Sequence, residues 1–369
     1  MAPTQEALYS GIDLALSWSE QDLPERERTK HVHRLHPYLG KFIPQLVEVL
    51  LERYFRPGQH VVDPFAGSGT TLVQALESGL DATGVDVAAF NCLLMRVKTR
   101  DYNPFVLERE LREAHARVGE TTRERPSAYL RRWYAPDAVR ELLGFRAIVD
   151  DYEHGDVLRV VLARAARSAH RTTHFDLDFP REPQLEPYWC RKHRRQCRPV
   201  ETAAQFLRRY TLDTLARLKE FAHLRTRGRA ATVIHGDVRA EPLERFDGVL
   251  TSPPYPGLID YHEQHRYAYE LLELDDRREL EVGAAAAGTS RAALAAYSDG
   301  IVDALLNTTR ALRRGAPVLI VVNDRRDLYP EILDRAGLRL EERLRRHVNR
   351  RTGLRAGEFF EDVLVARVR

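Results

Sequence analysis

Apolar positions along the chain change their period several times. Ile43, Leu46, Val47, Leu50 and Leu51 fall at helical spacing behind Pro44, which predicts an amphipathic helix running to about Tyr54. Before Lys41 the text is polar and mixed, with no clear periodicity. Arg56-Pro57-Gly58 breaks the helix, and 60–63 is a short β-branched run ending in an acid and a proline. A second helix over 70–78 stops at Gly79, and 81–86 forms a strand that closes on another acid. From Phe90 to about Arg229 the pattern becomes long and helical, rich in arginine, with proline-containing loops around Pro126, Pro136 and 180–187. Strand signals return at 231–237, 246–251 and 317–323. The runs 338–348 and 359–368 read as an antiparallel pair on a sheet edge. The alanine-rich stretch 283–296 reads as helix. These elements predict an α/β fold: a doubly wound sheet with an antiparallel C-terminal hairpin and a large helical insertion. The domains expected are an N-terminal extension over 1–35, a sheet domain over 36–104 and 231–369, and the insertion over 105–230.

Composition narrows the class. Three cysteines in 369 residues exclude a disulfide framework and fit a reducing compartment. No basic head precedes an apolar run and no apolar stretch can cross a bilayer, so a cytoplasmic protein with no membrane association is expected. A net charge of +3 is too small to identify a partner. Nearly all positive charge is arginine, an excess that GC-rich coding explains, so only the local clusters 191–198 and 343–355 carry weight as pointers to nucleic acid.

The first chemical signal is Asp63-Pro64-Phe65-Ala66-Gly67-Ser68-Gly69-Thr70-Thr71, at a strand's carboxyl end leading into a helix. An α/β sheet holds its ligands there. Thr70 stands where a phosphate loop needs lysine, and Leu72 where a dinucleotide fingerprint needs its third glycine. A glycine pair alone is a tight turn, but Asp86 and Asp237 close two further strands. One suits ribose hydroxyls and the other an adenine amine. Three strand-end acids around one glycine turn fit an adenosyl ligand without a pyrophosphate.

The second signal is Thr251-Ser252-Pro253-Pro254-Tyr255, ending another strand. Two prolines fix the backbone and remove two N–H donors, leaving rigid carbonyls. Ser252 Oγ and the Pro253 carbonyl can accept from one exocyclic base amine, which stabilises positive charge developing as that amine attacks. Tyr255 offers a face for base stacking. Pro-Pro-Tyr by itself is a proline-rich turn with a packed tyrosine; beside an adenosyl site it acquires chemical meaning.

Together, Asp63 to Thr71 and Thr251 to Tyr255 resemble the amino-directed DNA methyltransferases, which move a methyl group from S-adenosylmethionine to N4 of cytosine or N6 of adenine. His36-Pro37-Tyr38 with Lys41-Phe42-Ile43-Pro44 is similar to the family's segment that closes over the cofactor's methionine part. The likeness spans 36–98 and 231–330, including Asp260-Tyr261 and His265-Arg266. It implies that Tyr38, Lys41, Phe42, Asp63, Pro64, Phe65, Ala66, Gly67, Ser68, Gly69, Thr70, Asp86, Val87, Asp237, Val238 and Thr251 bind the cofactor. Ser252, Pro253, Pro254 and Tyr255 would hold a flipped base in double-stranded DNA. Ser at position 252 is typical of the N4-cytosine branch, Asp or Asn of the N6-adenine branch. The alternatives are adenine-N6 methylation, methylation of RNA guanine at N2 or of a protein amide, or a silent cofactor-binding or DNA-binding module. A bacterial modification role, restriction-linked or orphan, follows from the likeness, with a cognate restriction endonuclease as the candidate partner. The C5-cytosine route needs a thiolate, usually in Pro-Cys, yet Cys92, Cys190 and Cys197 follow Asn, Trp and Gln.

The insertion departs from the family's layout and is the candidate target-recognition region. Arg191, Arg194, Arg195, Arg350 and Arg351 are the candidate DNA contacts. No metal is expected, since the spacing of Cys190, His193, Cys197 and His174 fits no standard finger; these four would be the ligands if zinc were held. His262 and His265 read as structural histidines rather than bases.

Overall fold

The computed structural model describes residues 12–18, 21–38, 40, 42–171, 182–190, 193–348 and 359–369. Its strands are β1 (His60–Asp63), β2 (Asp81–Asp86), β3 (Tyr188–Cys190), β4 (Arg195–Cys197), β5 (Ala231–His235), β6 (Gly248–Thr251), β7 (Pro317–Val322), β8 (Leu338–Val348) and β9 (Phe359–Val368). Seven of them form one sheet in the order β5-β2-β1-β6-β7-β9-β8. The first five are parallel, while β9 runs antiparallel to β7 and to β8. This is the expected doubly wound sheet with its C-terminal hairpin.

Helices α1 (Pro44–Tyr54), α2 (Thr70–Glu77) and α3 (Ala89–Thr99) belong to the first half. The insertion supplies α4 (Pro104–Ala116), α5 (Ala128–Trp133), α6 (Pro136–Ile148), α7 (Gly155–Ala169) and α8 (Ala204–Leu224). The second half adds α9 (Tyr261–Gln264), α10 (Arg266–Leu272), α11 (Arg291–Arg310) and α12 (Tyr329–Arg335). Strand alternation sorts side chains onto two faces. Val61, Leu319, Val321, Val363 and Val365 pack with Leu46 and Leu50 of α1 and Leu72 of α2. Val62, Val249, Val318, Ile320 and Leu364 pack with Ile301 and Leu305 of α11 and Ile332 of α12. Both faces are covered, which is why these strands read as unbroken apolar runs.

Several expectations need correction. Pro136 opens α6 instead of marking a loop, because the first helical position needs no N–H donor. Residues 283–290 are a loop with one 3₁₀ turn: Gly283 and Gly288 hold positive φ, and the Ser290 hydroxyl caps α11 only from there. The insertion carries a small antiparallel hairpin, β3–β4, besides its helices. Ordered packing starts before Lys41, with Leu16, Val32 and Leu35 buried from short 3₁₀ turns too brief to show a period. The insertion shares one apolar cluster with the sheet domain: Leu76, Phe90 and Leu94 meet Leu142, Leu158, Val161, Leu215 and Leu218.

Candidate active site

β1 and β6 are neighbours, with Val61 opposite Gly248 and Val62 opposite Val249. From β1 the chain order proceeds outward one way through β2 and the other way through β6, so the crevice at their carboxyl ends is the sheet's switch point. Both signature segments leave the sheet there. Asp63 clasps them together: Thr251 Oγ1 donates to its Oδ1 and Thr71 Oγ1 to its Oδ2, each at 2.6 Å, and Phe65 N–H donates to Oδ1 at 3.1 Å. Burial pushes its carboxyl up to about 6, against those hydrogen bonds. Asp63, Gly69 and Thr251 thus lie behind the crevice wall. Gly69 is left-handed at φ +81°, and a Cβ there would sit 2.7 Å from Met95 Cγ.

The wall itself brings together Tyr38, Phe42, Pro64, Phe65, Ala66, Gly67, Ser68, Thr70, Asp86, Val87, Asp237, Val238, Ser252 and Pro254 around a half-open cleft of about 800 Å³, solvent at its mouth included. Lys41 lies outside the described residues. Gly67 has φ +51°, and a Cβ on it would touch the Tyr38 hydroxyl at 3.0 Å. Tyr38 lines the cleft with its ring stacked against both Tyr261 and His265. Gly40, Asn91, Gly236 and Glu281 also line it without a signal in the sequence, and Tyr261, part of the likeness but not among the expected cofactor residues, joins them. Asn91 stands in the first turn of α3, which follows the strand that Asp86 closes.

Asp86 accepts from Gly67 N–H (2.8 Å), Ala88 N–H (2.8 Å) and Asn91 Nδ2 (3.1 Å). Burial raises its carboxyl to about 7, opposed by those donors. A carboxylate offers about four lone-pair positions, so one acceptor remains on Oδ2 for a hydroxyl. Asn91 Oδ1 and Ser68 Oγ are buried at the wall with no protein partner. Unmatched polar atoms beside a carboxylate, with an apolar floor, fit the ribose and amino-acid ends of S-adenosylmethionine. Asp237 differs. Burial disfavours its charge, but the Arg239 fork at 2.7–2.9 Å and the Arg239 N–H outweigh this and hold it below the usual carboxylate range. Its four acceptor positions are thereby largely engaged.

The proline loop divides the cleft from a second cavity. Ser252 Oγ donates to the Val321 carbonyl at 2.9 Å, and Pro253 is buried. Tyr255 faces away from the first cleft, beside Tyr297, Tyr329, Asp324, Arg325 and Phe359. Its hydroxyl donates to Glu361 Oε1 at 3.1 Å, and Glu361 pairs with buried Arg346 at 3.0 Å. His262 is buried and bonded to Glu281. His265 is packed among Tyr38, His36 and Phe90, and burial pushes it down to about 3, so it stays neutral.

Arg194 and Arg195 are exposed at the β3–β4 hairpin. Arg191, Arg350, Arg351 and His174 lie outside the described residues. Cys190, His193 and Cys197 converge on that hairpin. No described helix is long and apolar enough to cross a membrane.

Residues 9–96 match a family model described as a DNA methylase. The chain is 35% identical to the type II methyltransferase M.MjaII of Methanocaldococcus jannaschii, over 92% of this chain and 81% of that one. It is 22% identical to the type II methyltransferase M.MvaI of Kocuria varians, over 67% of this chain and 59% of the relative. Among solved structures, the rRNA methyltransferase aviRa from Streptomyces viridochromogenes aligns at 13% identity with a TM-score of 0.37, covering 90% of this chain and 89% of that one.

Proposed function

The chain belongs to the amino-directed DNA methyltransferase family, and from that premise we propose that it methylates the exocyclic N4 of a cytosine turned out of duplex DNA. S-adenosylmethionine is the methyl donor; bound, it supplies an electrophilic methyl on a sulfonium. The observation that carries the proposal is the Ser252 hydroxyl, which commits its proton to Val321 and so presents only acceptor lone pairs beside the cleft. A base amine is a weak nucleophile because its lone pair is delocalised. Ser252 Oγ and the Pro253 carbonyl take its N–H groups and stabilise the positive charge that grows as nitrogen attacks in line. The methylated nitrogen then sheds one proton to water. Tyr255, tethered through Glu361, gives the extruded ring a stacking face on the far side of the loop. Ser252 forms no covalent bond in this scheme.

Target reading falls to the insertion, with Arg194 and Arg195 as phosphate contacts, and a cognate restriction endonuclease is the partner this activity implies. Digesting treated duplex DNA to nucleosides tests the assignment. N4-methylcytosine is expected; N6-methyladenine alone would move the protein to the adenine branch. Transfer to structured RNA with none to DNA would overturn both.

A further inference from the structure

The insertion holds a cluster that methyl transfer does not use. Cys190, His193 and Cys197 bring two sulfurs and an imidazole nitrogen within 4.8 Å of one another. Cys190 closes β3, His193 lies in the turn and Cys197 closes β4. The register sets Tyr188 against Cys197 and Cys190 against Arg195, so the two thiols are diagonal across the ladder. Arg194, left-handed at φ +51°, folds the turn so that His193 Nδ1 comes to 3.4 Å from Cys197 Sγ. Tetrahedral zinc, with bonds of about 2.3 Å to sulfur and about 2.0 Å to nitrogen, spaces such a pair about 3.5 Å apart. The observed separation matches one edge of that tetrahedron.

The hairpin also needs a fastening. Its strands are three residues each, and Trp189 at its centre is 61% exposed. Two-stranded hairpins of this size are marginal in water. We propose that Cys190, His193 and Cys197 bind Zn²⁺, with water or a further side chain at the fourth corner. Binding releases both thiol protons and leaves two thiolates and a neutral imidazole on the metal. Two other clusters among the described residues lack this character. The Lys30 ammonium sits 2.7 Å from Glu77 in the group His31, His33 and Glu77. In the group Glu110, Glu153 and His154, the Glu110 carboxylate already accepts the backbone N–H groups of Glu153 and His154.

The test is metal analysis of the full-length protein purified without chelator from zinc-supplemented culture. One zinc per chain is expected, and cobalt replacement should give the near-ultraviolet thiolate-to-cobalt charge-transfer band. Cys190 is buried and its variants risk misfolding, so exposed His193 is the position to change. His193→Ala should weaken zinc on the order of 100-fold against a chromogenic chelator while S-adenosylmethionine affinity stays unchanged. Zinc well below one per chain, with three cysteines titrating as free thiols, would overturn the proposal. So would a Cys190–Cys197 disulfide in peptide maps, or His193→Ala protein that keeps zinc at full affinity.

Discussion

Asp86 and Asp63 close neighbouring strands, and burial raises both. The folded protein therefore keeps protons that the unfolded chain, with aspartate near 3.9, has already released. These two groups leave stability intact below about pH 4 and erode it as pH climbs through about 6 and about 7. Urea titrations of cofactor-free protein should show this decline, and Asp86→Asn should remove its upper part. Ribose hydroxyls favour the carboxylate, so S-adenosylmethionine affinity should rise up to about tenfold between pH 6 and 8, a slope Asp86→Asn should abolish in calorimetry. Ser252→Ala should cut kcat by roughly 100-fold and leave cofactor affinity nearly unchanged. Tyr255→Phe keeps the ring and loses only the Glu361 bond, so it should retain most activity in single-turnover assays; Tyr255→Ala should not. Much of this site was readable because its residues sit at strand ends in contiguous runs. Tyr261 reaches the cleft from the start of a four-residue helix and Glu281 from a loop, neither with such punctuation, and the Arg239 fork that engages the Asp237 carboxylate has no sequence signal of its own.

Between elements, backbone approach sets the tolerances. A Cβ on Gly144 in α6 would lie 1.8 Å from the Glu120 carbonyl oxygen, so helix and loop touch directly. Gly144→Ala should destabilise by about 1–3 kcal/mol, visible as a lower Tm, with transfer per folded molecule preserved. The sequence pattern located every strand of the large sheet to within a few residues, because β-branched runs bounded by Gly, Pro and acids are strong local signals. It overlooked β3–β4, whose three-residue strands carry charged and aromatic residues in no alternation. It likewise merged 283–290 into α11, since alanine's helix preference says nothing of the glycines that interrupt it.

For the molecule as a whole, the insertion is welded to the sheet domain through α3, α7 and α8. Removing 105–230 should strip Phe90 and Leu94 of their cover and give insoluble protein, measured as the soluble fraction on expression. The clasp of Asp63 on Thr71 and Thr251 has a different reach. It pins the glycine turn and the proline loop to adjacent strands, about 4.8 Å apart. Under the proposed function that spacing sets the distance the methyl travels, and a change of target specificity would be a change in the insertion's exposed surface with the two strand ends left as they are.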